Sequence, residues 1–167
     1  MRMDIGYYLG IFQKAADRLD KRQIIQRQTE VATGIYLDSV FLKVYKLSWA
    51  NKTPDPLTAS SRIFFSVWIN DRAIKENKIC YNIHAFKLRH LNGYSIASRE
   101  FAADFRREFM RFENHWPNVS TEFGPLTLME GWVKFNETAA QNDIMKLVKK
   151  FLKIAYLIDE LLEKNRR

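Results

Sequence analysis

The sequence predicts an α+β fold: an antiparallel sheet of three to four strands packed by a long N-terminal helix, a Phe-rich middle helix and a long C-terminal helix. Three observations carry this expectation. Residues 62–70 and 79–88 alternate apolar and polar side chains at period two, as a strand with one buried face must. Phe101, Phe105, Phe109 and Phe112 recur at steps of four, four and three, which puts them on one stripe of a helix. Residues 139–164 repeat apolar side chains in the same way. Helices segregated from long hairpin strands point to α+β rather than to a doubly wound α/β sheet.

Bulk properties agree. The chain has 167 residues, enough for one domain with a proper core, and the reading is a single α+β domain over residues 1–167. Hydrophobic residues make up 47% and charged residues 28%, which excludes the disordered and fibrous classes. With 12 Phe, 7 Tyr and 4 Trp, the core should be heavily aromatic. Charges at Lys14, Asp17, Arg18 and Asp20 come too early for a secretory signal, and no uncharged apolar stretch is long enough to span a bilayer. A lone Cys80 fits a reducing compartment. The expectation is a soluble cytoplasmic protein with no membrane partner.

Taken in order, the first element is a helix from about Asp4. Ile5, Tyr8, Leu9, Phe12, Ala15, Ala16 and Leu19 keep one face, and Gln13, Lys14, Asp17 and Arg18 the other. The pattern leaves open whether this helix runs on through Ile24, Ile25 and Val31 to Gly34. Residues 40–49 are rich in β-branched and aromatic types and read as strand. Pro54 and Pro56 then forbid both helix and central strand, so residues 51–58 form a loop. The hairpin follows, its strands joined by a polar link over residues 71–78. After Ala85 the apolar positions shift to Phe86 and Leu88, which predicts a bulge or the end of regular pairing. Asn92 and Gly93 turn the chain, Ser98 is an N-cap candidate for the Phe-rich helix, and Trp116 with Pro117 ends it. A last strand covers residues 126–135. The final helix carries Ile144, Val148, Phe151, Ala155, Ile158 and Leu162 inward and Lys146, Lys149, Lys150 and Lys153 outward.

The familiar chemical motifs are absent. No glycine-rich phosphate loop, H-E-x-x-H, C-x-x-C or nucleophile elbow occurs, so no cofactor is expected. One cysteine and three histidines (His84, His90 and His115) do not make a structural zinc site. Glu76, Asn77 and Lys78 match the E-x-K spacing of some metal-dependent nucleases, yet they lie in the polar link, where chance supplies such a match.

The second face of the sheet is more informative. If strands 62–70, 79–88 and 126–135 are neighbours, Ile63, Phe65, Val67, Ile69, Tyr81 and Ile83 form the clean apolar face. The opposite face collects Arg62, Phe64, Trp68, Asn82, His84, Glu130, Trp132 and Lys134, and the parity of residues 40–49 adds Lys43, Tyr45 and Trp49. Cations interleaved with aromatics on an open sheet are how several modules stack unpaired bases. A helix lying across that face would instead make the same residues ordinary core. His84 reads either as a hydrogen-bonded structural histidine or as a ligand contact beside Glu130.

Net charge is +8, and residues 61–98 are the most basic segment, with six basic against two acidic groups. A basic balance favours association with polyanions. The leading reading is therefore a non-catalytic binding module for an anionic partner such as single-stranded nucleic acid or another polyanion, contacted through Arg62, Phe64, Trp68, His84, Trp132 and Lys134. The rival is a protein-interaction or homo-oligomeric domain. The third is a metal-dependent nuclease using scattered carboxylates such as Asp71, Glu76 and Glu130.

Overall fold

A computed structural model describes residues 2–167. Helix α1 (Ile5–Asp17) starts where the Asp4 carboxylate accepts from the Tyr7 N–H, which satisfies one of the free donors at a helix start. It does not continue to Gly34. Asp20 caps a separate short helix α2 (Lys21–Gln26), and Gln28, at φ 57°, turns the chain into a strand. That strand is β1 (Glu30–Tyr36), which the sequence pattern does not reveal. The sheet therefore has five strands rather than three to four, completed by β2 (Ser39–Tyr45), β3 (Arg62–Ile69), β4 (Lys78–Phe86) and β5 (Thr127–Lys134). All neighbours are antiparallel and the spatial order follows the chain, β1-β2-β3-β4-β5.

Two other expectations need correction. The link 71–78 is not a simple exposed loop, because Asn70 accepts from the Ala73 N–H and caps a short helix α3 (Asp71–Lys75). The Phe-rich helix α4 (Ser98–Phe109) takes Ser98 as its first turn rather than its cap and ends before Phe112. The end of regular pairing expected after Ala85 is found, since β4 stops at Phe86 and Lys87 takes a left-handed φ of 51°; a further irregularity against β5 falls between Ile83 and His84. The last helix α5 (Ala140–Lys164) lies where the periodicity puts it.

Helices α1, α4 and α5 all pack on one face of the sheet: α1 against β1 and β2, α5 against β3, and α4 against β5. The clean apolar face is indeed the inner one, with Ile63, Phe65, Val67, Ile69, Tyr81 and Ile83 all buried. Phe65 stacks face to face on Phe151 of α5, ring centres 4.6 Å apart and planes 5° from parallel. Trp116, buried beyond α4, touches Phe65, Tyr81 and Phe109 and so joins the helix layer to the sheet. Among the described residues no helix is long and apolar enough to cross a membrane.

One close approach fixes the β4–β5 edge of this core. Tyr81 pairs across the sheet with Gly131, and its ring lies over that glycine while its hydroxyl donates to the Pro117 carbonyl at 2.7 Å. A Cβ on Gly131 would collide with the Tyr81 hydroxyl and lie 2.9 Å from the Pro117 oxygen, so either the ring or the 117 loop has to move. Burial also pushes the Tyr81 hydroxyl above its ordinary pKa, so it stays a donor. Gly131→Ala is expected to destabilise the fold by about 1–3 kcal/mol, the usual range for overpacking a filled site. Gly124→Ala, where an added Cβ meets nothing within 4 Å, is expected to stay close to the parent. Equal urea midpoints for the two variants would remove Tyr81 and Pro117 from this role.

Candidate functional site: the uncovered sheet face

None of the long helices α1, α4 and α5 lies on the second sheet face, which the short helix α3 and the segment at residues 55–58 border. Register decides what it displays. Four rows cross the strands there: Phe41, Trp68, Cys80 and Trp132; then Lys43, Ser66, Asn82 and Glu130; then Phe64 and His84; then Arg62 and Phe86. Rows of aromatic residues thus flank a polar row, successive rows standing about 6.8 Å apart, two strand residues each.

The face curves into a groove of about 710 Å³. Its rim is the β1–β2 hairpin, the loop at Asp55, Leu57 and Thr58, and Leu126. Arg62, Phe64, Trp68 and His84, four of the six residues singled out from the sequence, line it together. Trp132 lies in an adjoining hollow of about 420 Å³, which Trp68 also borders. Lys134 stands opposite Lys78 at the end of the sheet and lines neither space. The extrapolated Trp49 is not on this face at all. It is buried on the helix side, where its indole N–H donates to Asp159 at 2.8 Å. Tyr45 is half-buried and packs against the core.

Sequence reasoning passed over Phe41 and Phe86, both groove residues. Phe41 belongs to the parity of Lys43, but its place depends on Gly34 of the unforeseen β1. The Phe41 ring lies against that glycine, where a Cβ would sit 3.0 Å from the ring.

Cations cover most of these rings. Lys43 Nζ sits 4.3 Å from the centre of Phe41 and 4.1 Å from that of Phe64, while the Arg62 guanidinium lies 4.5 Å from Phe86. Phe64 stacks on His84 at 4.8 Å, and His84 on Phe86 at 5.9 Å. Phe41 and Phe64 are consequently buried beneath their cations rather than offered to solvent. Trp68 alone among the groove rings has neither a cation over it nor a ring stacked on it, among the described residues.

The electrostatics follow from burying like charges together. Burial, then Arg62, holds Lys43 down at about 8, with Asp55 acting the other way. Burial, then Arg62 and Lys43, pushes His84 down to about 4, so its ring is neutral at neutral pH. Burial lowers Arg62 as well. Arg62 donates through Nη1 to the Ala59 carbonyl, but its Nε and the His84 Nε2 are buried without a partner. Neither Lys43 nor Arg62 forms an ion pair among the described residues. Asp55 on the rim already accepts from the Leu57 N–H.

The adjoining hollow is chemically quieter. Burial, then Glu130, raises the Cys80 thiol to about 11, which leaves it protonated and a poor nucleophile. Glu76 and Glu130 both line this hollow, whereas Asp71 accepts from the Met3 N–H elsewhere. Glu76 is engaged with Arg72 at 3.4 Å and Lys78 at 3.7 Å. Among the described residues no three His, Cys, Asp or Glu side chains gather as a metal site.

The depressed His84 has a measurable consequence. In the unfolded chain the ring takes up a proton near pH 6.5, but in the fold only near 4. Between those values the unfolded state binds more protons, so the contribution to stability is complete above pH 6.5 and lost as pH falls towards 4. His84→Phe keeps a stacked ring without the titration. Its loss of stability between pH 7 and pH 4.5 should be smaller than the parent's by about 2 kcal/mol, read from urea unfolding. Identical losses would show that His84 is freely protonated in the fold. No protein-family model, curated protein or solved structure matches this chain.

Proposed function

We propose that this chain is a non-catalytic binding module that takes an anionic partner, single-stranded nucleic acid, on its uncovered sheet face. The observation that carries the reading is the groove in which Lys43 and Arg62 lie over aromatic rings without an ion-pair partner among the described residues. Two partly desolvated cations without an ion-pair partner leave an electrostatic deficit that phosphate relieves. The half-buried Trp68 ring beside them, with no cation or ring stacked on it among the described residues, offers a stacking surface. The net charge of +8 adds long-range attraction for a polyanion.

The test is fluorescence anisotropy with a labelled single-stranded oligonucleotide across a salt series. Binding should weaken linearly in log–log form, with a slope near −0.7 per phosphate contacted. Lys43→Gln and Arg62→Gln should each lower the affinity and flatten that slope by about one contact. Absence of binding at low salt, or a slope that neither variant changes, would overturn the reading.

A second reading has its own support. Ile35, Tyr36 and Leu37 at the tip of the edge hairpin are 47%, 59% and 81% exposed, and Leu37 holds a left-handed φ of 53°. An exposed leucine in that conformation breaks local preference without any packing gain within the chain, as residues kept for a partner do. A homo-oligomeric contact there predicts a dimer by light scattering that Leu37→Asn dissociates. A monomer at every concentration removes this alternative.

A further inference from the structure

Within the groove two groups are left without partners next to each other. Trp68 is the uncovered ring, and Asn82 lies diagonally across from it on β4, because Ser66 pairs with Asn82 and Trp68 with Cys80. Diagonal cross-strand neighbours are about 7–8 Å apart. The Asn82 side chain is half-buried and lines the groove, and its amide makes no hydrogen bond to another described residue. Ser66 beside it is small and buried, so the floor drops between the aromatic rows. Lys43 closes the same polar row on the β2 side.

We propose that this corner of the groove reads one unstacked nucleobase: the ring stacks on Trp68, its edge is hydrogen-bonded by the Asn82 amide, and its phosphate lies towards Lys43 and Arg62. The inference rests on the nucleic-acid reading above and narrows it from a polyanion surface to a site with base preference. The distances fit. A ring stacked on Trp68 extends over Ser66, where the floor is low, and brings its edge to the adjoining Asn82. An amide presents one donor beside one acceptor, so it pairs with an edge that offers the complement. Adenine, with its amino group beside a ring nitrogen, is the base an Asn amide matches in bidentate form. Phe41, Phe64 and Phe86 cannot serve as the platform, since their own cations cover them. The volume of about 710 Å³ is ample for one nucleotide with its phosphate.

The experiment compares labelled oligo-dA, oligo-dC, oligo-dT and a sugar-phosphate strand without bases, all at one low salt concentration. The parent should prefer oligo-dA over the other bases by about tenfold, and the abasic strand should bind about tenfold more weakly still. Asn82→Ala should retain binding but erase the preference for adenine. Asn82→Asp, which can only accept, should move it towards cytosine. Trp68→Leu should bind oligo-dA no better than the abasic strand. If all strands bind and Asn82→Ala leaves their ratios unchanged, base reading is overturned while the nucleic-acid reading stands. If no strand binds the folded parent, both fall together.

Discussion

The face-to-face contact of Phe65 with Phe151 is the constraint on which the remaining structure turns. Phe65 lies at the middle of the central strand, paired with Val44 on one side and Ile83 on the other. Both rings are fully buried, each worth roughly 2–3 kcal/mol of transfer out of water. Side chains on a strand alternate, so holding Phe65 against α5 forces Phe64 and Ser66 to the other face. The antiparallel register then passes this choice outward to Lys43, Asn82 and His84. A slip by one residue would put Phe64 and Arg62 under the helices and leave Phe65 in water. The composition of the groove is thus settled by packing on the opposite side of the sheet.

The rim of the groove is also held from the helix layer. Asp159 of α5 accepts from Trp49 and from Lys46, at 2.8 and 2.6 Å, and ties down the chain leaving β2 just before the loop that carries Asp55. Farther along, the Asn51 amide donates to the His90 carbonyl, and its oxygen accepts from the Asn92 N–H. Opposite, the Arg106 guanidinium of α4 donates to the carbonyls of Phe123, Gly124, Thr127 and Leu128 and so fixes the segment that brings Leu126 to the rim. Burial of Arg106 there lowers its pKa, and four charge-assisted bonds to carbonyl oxygens offset that cost. The hairpin tip at Leu37 has no comparable tie, which makes it the least restrained part of the rim.

How much of this is legible in the sequence depends on how strongly each segment is buried. Strands β3 and β4 and helices α4 and α5 each bury one full face, so their periods stand out in the letters. Strand β1 lies at an edge and is nowhere fully buried. Its mid-strand groove-side residues, Ala32 and Gly34, are small, and the Phe41 ring fills the space over Gly34. Small residues carry no strand signal, and Ile24, Ile25 and Val31 imitate a continuing helix. The stop at Gln28 is a backbone conformation that the residue type does not announce. The site follows the same logic. Alternation finds Arg62, Phe64, Trp68 and His84, but parity carried past Tyr45 misplaces Trp49, since the chain leaves the sheet there and turns.

Electrostatics separates this face from an ordinary core. A surface selected only for stability would pair Lys43 and Arg62 with carboxylates, or replace them with apolar residues that pack on the same phenyl rings. Instead burial, then Arg62, lowers the pKa of Lys43, and burial, then Arg62 and Lys43, lowers that of His84, while the Asp55 carboxylate at the rim accepts from a backbone N–H. Cation–ring contacts return about 1–2 kcal/mol each when desolvated, enough to hold the ammonium and guanidinium over the rings but not to neutralise them. The helix side of the fold therefore carries a local cost on the groove side, where Lys43 and Arg62 are partly desolvated and have no ion-pair partner among the described residues. On the proposed reading, an anion would meet cations that are already partly desolvated and held over aromatic rings. Binding energy there is not spent on ordering side chains, which is the physical advantage of building the site on strands rather than on the loops around it.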